Sequence, residues 1–271
     1  SEHMFGELWH RAFTVLPDTP RCEYLLSFGS NIDASGGDTG VRRHADARVR
    51  GTKRIQFEPH LSVTGANATE WVPIKTKTDS AVLYAMVHVL MHETPLDKLD
   101  LPFLRERTAS AYLVGPNGFY LRDPESKEPL LWDNKSGKAV PHNTPDIDPA
   151  LLGSYTVDNA IEIGADEESW SHNDVKGVTG MEKAKQLVAE RTPEWAAEIS
   201  DVPADSIRRI ANEFLSHAHI GETETIDGVE IPFRPVCSVL GKSVNNGWGG
   251  YECVWAHTWM QVLVGALEVS G

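Results

Sequence analysis

Three apolar runs of strand length, each ending in polar or turn-forming residues, constrain this chain more than any other feature. Tyr24-Leu25-Leu26-Ser27-Phe28 runs into Gly29-Ser30-Asn31. Arg54-Ile55-Gln56-Phe57 runs into Glu58-Pro59-His60, and Trp71-Val72-Pro73-Ile74 runs through Lys75-Thr76-Lys77 into Thr78-Asp79. A helix-like stretch follows the first and the third. Repetition of strand, turn and helix predicts a parallel α/β unit. Ligands of such sheets bind at the carboxyl ends of the strands, so the three polar clusters are expected to meet there.

The flanking segments complete that pattern. Phe5, Leu8, Trp9, Ala12, Phe13 and Leu16 fall at helical spacing over 5–16, and Pro17 to Pro20 stop the run. A loop of small residues is expected over 33–40, then a basic helix over 41–50 ending at Gly51. The second strand is read over 53–57. Thr78 is expected to cap a helix over 79–91 that is apolar almost all round and therefore buried. Residues 93–180, rich in Pro, Gly, Asp and Asn, read as irregular structure with small hairpins on the sheet domain. Helices are expected from Thr192-Pro193 and from Pro203, the second with Ile207, Ile210, Ala211, Phe214 and Leu215 on one face. A hairpin at Asp227-Gly228, a strand over 235–240 and a Trp-rich helix over 251–267 follow. The expected fold is α/β: a Rossmann-like, mostly parallel sheet flanked by helices, with a second helical or α+β portion. The divisions fall at 1–92, 93–180 and 181–271.

Several function classes lose support. The net charge of −14 argues against nucleic-acid and anionic-membrane partners, both of which call for a basic face. No run of about twenty apolar residues is present to span a membrane. Cys22, Cys237 and Cys253 are far apart without a C-x-x-C, which disfavours iron–sulfur or zinc ligation within the chain and suggests buried thiols. His88 and His92 stand at metal-ligand spacing but lack a third ligand, so no metal residue is assigned. Gly241-Lys242-Ser243 resembles the end of a P-loop, but Val236 occupies the place of its first glycine. Neither G-x-G-x-x-G nor G-x-S-x-G occurs. Glu58, ending the second strand, suits a ribose hydroxyl or the amino edge of a base.

In order and spacing these pieces resemble the catalytic subunits of the DMSO reductase family, molybdenum or tungsten enzymes with two molybdopterin guanine dinucleotides. Gly29-Ser30-Asn31 is similar to the family's Gly-x-Asn-Pro, with Ile32 in place of Pro. Glu58-Pro59-His60 stands where the family has Asp-Pro-Arg, and Thr76-Lys77-Thr78-Asp79 where it has Pro-Gly-Thr-Asp. Thr192-Pro193-Glu194-Trp195 and the ending Gly265 to Gly271 are also similar to family signatures. The resemblance implies that Gly29, Ser30 and Asn31 line the dinucleotide phosphates or pterin, with Ser35 approaching from the loop. It implies that Glu58 and His60 hold the guanosine ribose and a phosphate, that Thr78 and Asp79 recognise guanine, and that the turn from Gly241 through Lys242 to Asn245 faces the cofactor.

The resemblance further implies an iron–sulfur domain upstream, a β-barrel domain downstream, a small-molecule substrate and an electron-transferring iron–sulfur subunit in the parent complex. Both termini read as cut, so the chain is expected to be a central portion without turnover of its own. Two rivals keep parts of this reading: a Rossmann-like NAD- or nucleotide-dependent enzyme using Glu58, and a cofactor-free interaction module.

Overall fold

The computed structural model describes residues 17–271; the helix expected over 5–16 lies outside them. The chain forms two compact units. One comprises the chain up to Asp100 together with Val188–Gly271, and the other is Leu101–Leu187.

In the first unit, β1 (Tyr24–Phe28), β2 (Lys53–Glu58) and β3 (Glu70–Pro73) join a returning strand, Val236–Leu240. All pairings are parallel, in the order returning strand, β1, β2, β3. β1 is buried along its whole length and β2 from Arg54 onward, as strands covered on both faces must be. Phe28 and Phe57 are register partners and their rings stack at 4.3 Å. β3 tolerates Pro73 because it is an edge strand, where a missing N–H breaks no ladder.

Helix Asp79–His88 packs against Pro193–Ser200 and Gly250–Leu263. It buries Ala81, Val82, Leu83, Ala85, Met86 and Val87. Each larger side chain there contributes about 1.5–3 kcal/mol on leaving water. Helix Ala204–Ser216 buries Ile207, Ile210, Ala211 and Phe214, as its spacing predicts. Thr192 caps Pro193–Ser200, accepting from Trp195 N at 3.2 Å. The hairpin at Asp227-Gly228 pairs Ile226 with Val229, and both turn residues have positive φ.

In the first unit the structure departs from the sequence expectations in four places. The stretch read as a loop over 33–40 is helical: Ile32–Ser35, then Gly37–Arg50, broken where Gly37 turns to φ +64°. Gly36, the residue between the two helices, sits directly against Ile32 with no room for a side chain. Thr78 occupies the N-cap position without capping; with φ −112° and ψ 10° its hydroxyl donates back to Lys75 O at 2.7 Å. Beyond His88 the buried helix widens into a π turn, Val89–Glu93. The Trp-rich helix runs from Gly250 and stops at Leu263, shortly before Gly265 takes φ +69° with the Asp100 carboxylate against it.

The second unit is where sequence reading found least. The stretch expected to be irregular contains antiparallel strands of ten and eleven residues, Ser154–Ile163 and Ser169–Thr179. Leu113–Val114 and Leu121–Arg122 flank them. A hairpin, Leu130–Asp133 with Lys138–Pro141, completes the strands. Leu113, Leu121, Leu130, Val157 and Ala160 form the core, with Trp132 stacked on Tyr155 at 4.5 Å. Glu162, wholly buried, accepts from the amides of Asn117 and Phe119, and His172 Nε2 lies 2.8 Å away. Those bonds tie the 115–119 loop to the long hairpin.

Candidate cofactor site

The chain steps from β1 to β2 to β3 in one direction, then returns to pair on the opposite side of β1. The winding therefore reverses between β1 and Val236–Leu240. The crevice outside the carboxyl ends of those two strands is the position where such sheets take ligands. Gly29 and Gly241 meet there. Gly29 N donates to Phe57 O (2.8 Å), Gly241 N to Phe28 O (2.7 Å), and Ser243 Oγ to Gly29 O (3.2 Å).

Neither glycine has room for a side chain. A Cβ on Gly241 would strike the Gly29 carbonyl and lie 2.9 Å from Ser30 N. One on Gly29, at φ +60°, would lie 2.7 Å from Val244 Cγ2. Gly241→Ala is accordingly expected to destabilise the chain by about 1–3 kcal/mol through forced displacement of the β1 turn. A urea unfolding midpoint equal to that of the unmutated chain would show that the turn yields freely.

Asn31 Oδ1 accepts from Thr64 Oγ1 (2.9 Å), and Thr64 Oγ1 in turn accepts from Asp33 N (2.9 Å). Ser35 Oγ donates to Asn31 O at 2.8 Å. Asp33 forms a two-pronged ion pair with Arg54, at 3.0 and 2.7 Å, and Arg54 Nη1 lies 3.0 Å from His44 Nδ1. Burial pushes the Asp33 carboxyl up, but hydrogen bonds and charge from Arg54 outweigh it and leave the pKa lowered. Burial and Arg54 both push His44 down, so it favours the neutral form. These bonds anchor the β1 turn to β2.

Gln56 Nε2 donates to both Ser30 O and Glu58 Oε2, each at 3.2 Å. Glu58 Oε1 accepts from Ser62 N at 2.7 Å. The Glu58 carboxylate is thus buried and engaged in shaping its own turn, while His60 is exposed on that turn.

Lys77, at φ +66°, donates from Nζ to Ser243 O at 2.8 Å and joins the third cluster to the Gly241 turn. Asp79 opens the buried helix and is 7% exposed. Burial pushes its carboxyl up, and its own backbone amide and Lys77 reverse only part of that, leaving the pKa raised. Asn245 is 5% exposed, and its Oδ1 has no hydrogen-bond partner among the described residues.

Gly29, Ser30, Gly241 and Lys242 therefore come together, linked through Lys77 to Thr78 and Asp79, and through Gln56 to Glu58. Asn31 and Ser35 serve the turn's internal hydrogen bonds. Beside this group lies a cavity of about 640 Å³, lined by Ser30, Gly36, Thr39 and Arg43 on one side and by Ser238 and His257 on the other. Of the residues expected from sequence, only Ser30 lines it. Ser238 Oγ is buried there without a partner among the described residues. Burial pushes His257 down to about 4, so its imidazole is neutral at pH 7. Sequence reading missed Gln56, Thr64, Lys77, Ser238 and His257. Gln56 and Ser238 carried a signal, each as a polar residue inside an apolar strand, and Lys77 stood within the third polar cluster.

No family model matches the chain. Over 213 residues it is 30% identical to a sulfite dehydrogenase polypeptide of Allochromatium vinosum, covering 73% of this chain and 20% of that protein. Over 234 residues it is 25% identical to the molybdopterin-containing thiosulfate reductase protein PhsA of Salmonella typhimurium, covering 84% and 21% respectively. Dimethyl sulfoxide reductase DmsA of Haemophilus influenzae is 28% identical over 206 residues, covering 74% and 19%. The chain belongs to the DMSO reductase family. It spans about a fifth of the length of the curated relatives it matches. Acetylene hydratase from Pelobacter acetylenicus shares the chain's fold, with a TM-score of 0.54 at 16% identity over 92% of this chain and 22% of that one. The site suits a molybdopterin group on physical grounds. The Asn245 and Ser238 side-chain oxygens, buried without partners among the described residues, supply polar partners for such a group, and the close Gly29–Gly241 contact fixes the two strand-end turns beside them.

Proposed function

We propose that this chain is the central cofactor-binding part of a molybdenum or tungsten oxidoreductase carrying two molybdopterin guanine dinucleotides. The bound metal would supply two-electron redox or oxygen-atom-transfer chemistry, and the protein would supply orientation and electrostatics. In this reading Gly29, Ser30, Gly241 and Lys242 cradle the dinucleotide phosphates or pterin side, with Asn31 and Ser35 holding the cradle's shape. Asn245 meets the cofactor with its free amide oxygen. Glu58 sets the turn that presents His60 to the ribose and its phosphate. Thr78 and Asp79 read guanine, whose N1–H and exocyclic amine both donate to one carboxylate. The parent's substrate and its electron-transfer iron–sulfur subunit belong to the same proposal.

The observation carrying the reading is the buried Asp79 carboxylate, held beside the glycine cradle by the Lys77–Ser243 bond. A thermal-shift titration of the chain with GMP and GDP, beside AMP and NAD, tests it. A ligand binding only the folded state raises the midpoint with the logarithm of its concentration. Guanine nucleotides are expected to raise it and AMP to do so far less. Stabilisation by NAD alone would transfer the site to a dehydrogenase-like reading.

A further inference from the structure

An almost fully exposed indole stands on a turn that lies against the residues flanking the proposed guanine carboxylate. Trp248 is 97% exposed. Its neighbours in the chain place it: a Cβ on Gly247 would lie 3.0 Å from Lys77 Nζ, and one on Gly249 would lie 3.9 Å from Ser80 Oγ. The turn carrying Trp248 therefore lies against the residues on either side of Thr78 and Asp79. That turn is built rather than loose. Gly250 N donates to Gly247 O at 3.0 Å, Asn246 N donates to Lys242 O at 3.0 Å, and Gly250 packs directly on the Asn245 backbone. Gly247 at φ +147° and Gly249 at φ +77° hold the indole out from the helix that follows.

A single exposed apolar side chain is ordinary on a protein surface. Two features set this one apart. The nearby exposed aromatics Tyr251 and Trp255 pair with each other edge-to-face at 6.2 Å, whereas Trp248 has no ring partner among the described residues. Its flanking residues also contact the cluster in which Asp79 is buried. A carboxylate reading the edge of a planar base leaves both faces of that base open, and an aromatic ring is the group that covers a face.

We propose that Trp248 is the stacking platform for the guanine base whose edge Asp79 recognises. This rests on the guanine reading above and adds to it a division of labour. Asp79 supplies selectivity between bases, and Trp248 supplies affinity common to purines.

The test measures GMP and AMP binding to the 271-residue chain by calorimetry, with tryptophan fluorescence recorded in parallel. W248A is expected to weaken GMP binding by about tenfold or more, as loss of a base–aromatic stack does, while keeping the preference for GMP over AMP. W248F should recover most of the affinity. In the unmutated chain, GMP should quench indole emission, and W248F should lose most of that quenching. Trp248 is exposed, so an unchanged unfolding midpoint in W248A will separate lost stacking from lost structure. Equal GMP affinity in the unmutated chain and W248A would overturn the stacking proposal alone. Absence of GMP binding in the unmutated chain would overturn the guanine reading and the stacking with it.

Discussion

Replacing Asp79 by asparagine is expected to abolish guanine-selective stabilisation while leaving the unliganded chain as stable as before or more so. The first effect follows from hydrogen bonding. Two donors on the base edge meet one ionised acceptor, and bonds to charged groups are worth about 1.5–3 kcal/mol each. Loss of the charge, with an amide donor placed against the base's own donors, should weaken GMP binding by about a hundredfold or more. The second effect follows from linkage. Burial raises the Asp79 pKa above its unfolded value. Its contribution to stability is therefore fully present below the unfolded pKa and is lost as pH rises through the higher folded one. Above the raised folded pKa the buried carboxylate costs stability that asparagine does not. Midpoints of the unmutated chain and the variant, with and without GMP, at pH 7 and pH 4, separate the two effects. A variant that is less stable at pH 7 and still prefers GMP would remove Asp79 from both roles.

The largest stability effect is expected at Arg234. This buried guanidinium donates to Asp100 Oδ2 from Nε (3.1 Å) and Nη2 (2.7 Å). Its Nη1 donates to the carbonyls of His219, Glu222 and Phe233 at 3.2, 3.0 and 2.8 Å. Arg234→Met would leave a buried carboxylate and the Phe233 carbonyl short of a donor, while the His219 and Glu222 carbonyls keep the amides of Glu222 and Phe233, at a cost of about 3–5 kcal/mol. Adding Asp100→Leu should recover much of that loss, because an apolar pair of similar volume spares the desolvation of both charges. Urea unfolding of the two single variants and the double variant measures the coupling. Additive losses would mean that the pair does not act as a unit.

Much of the sheet was legible because parallel strands covered on both faces leave unbroken apolar runs. β1 and β2 stand within a residue of where their sequences predict them, and Asp227-Gly228 specifies its hairpin by the φ values its residues tolerate. Strand order was not legible. Nothing near Leu25 states that its partner is Cys237, since that pairing depends on burial contributed by the whole chain. The second unit was hidden for another reason: its long strands are exposed on alternating or longer stretches, and their polar residues read as loop. At the site, Asp79 and the two glycines were visible as motif positions. Thr64 was not, and Lys77, though inside the third motif, gave no sign of its bond to Ser243, because each acts by bonding a residue distant in sequence. Glu58 shows the converse, a carboxylate well placed for a ligand that the fold largely uses itself.

The two halves of the glycine cradle, joined by the Ser243–Gly29 bond, are 214 residues apart along the chain. At the about 5–20 residues per second of protein synthesis, β1 emerges about ten to forty seconds before the strand that covers its open side. Throughout that interval a buried-type strand presents an unpaired edge, the condition under which nascent chains pair with the wrong partner. Production of this protein should therefore respond to translation speed and to holdase chaperones more than its final stability suggests, and cofactor loading can only be a late event.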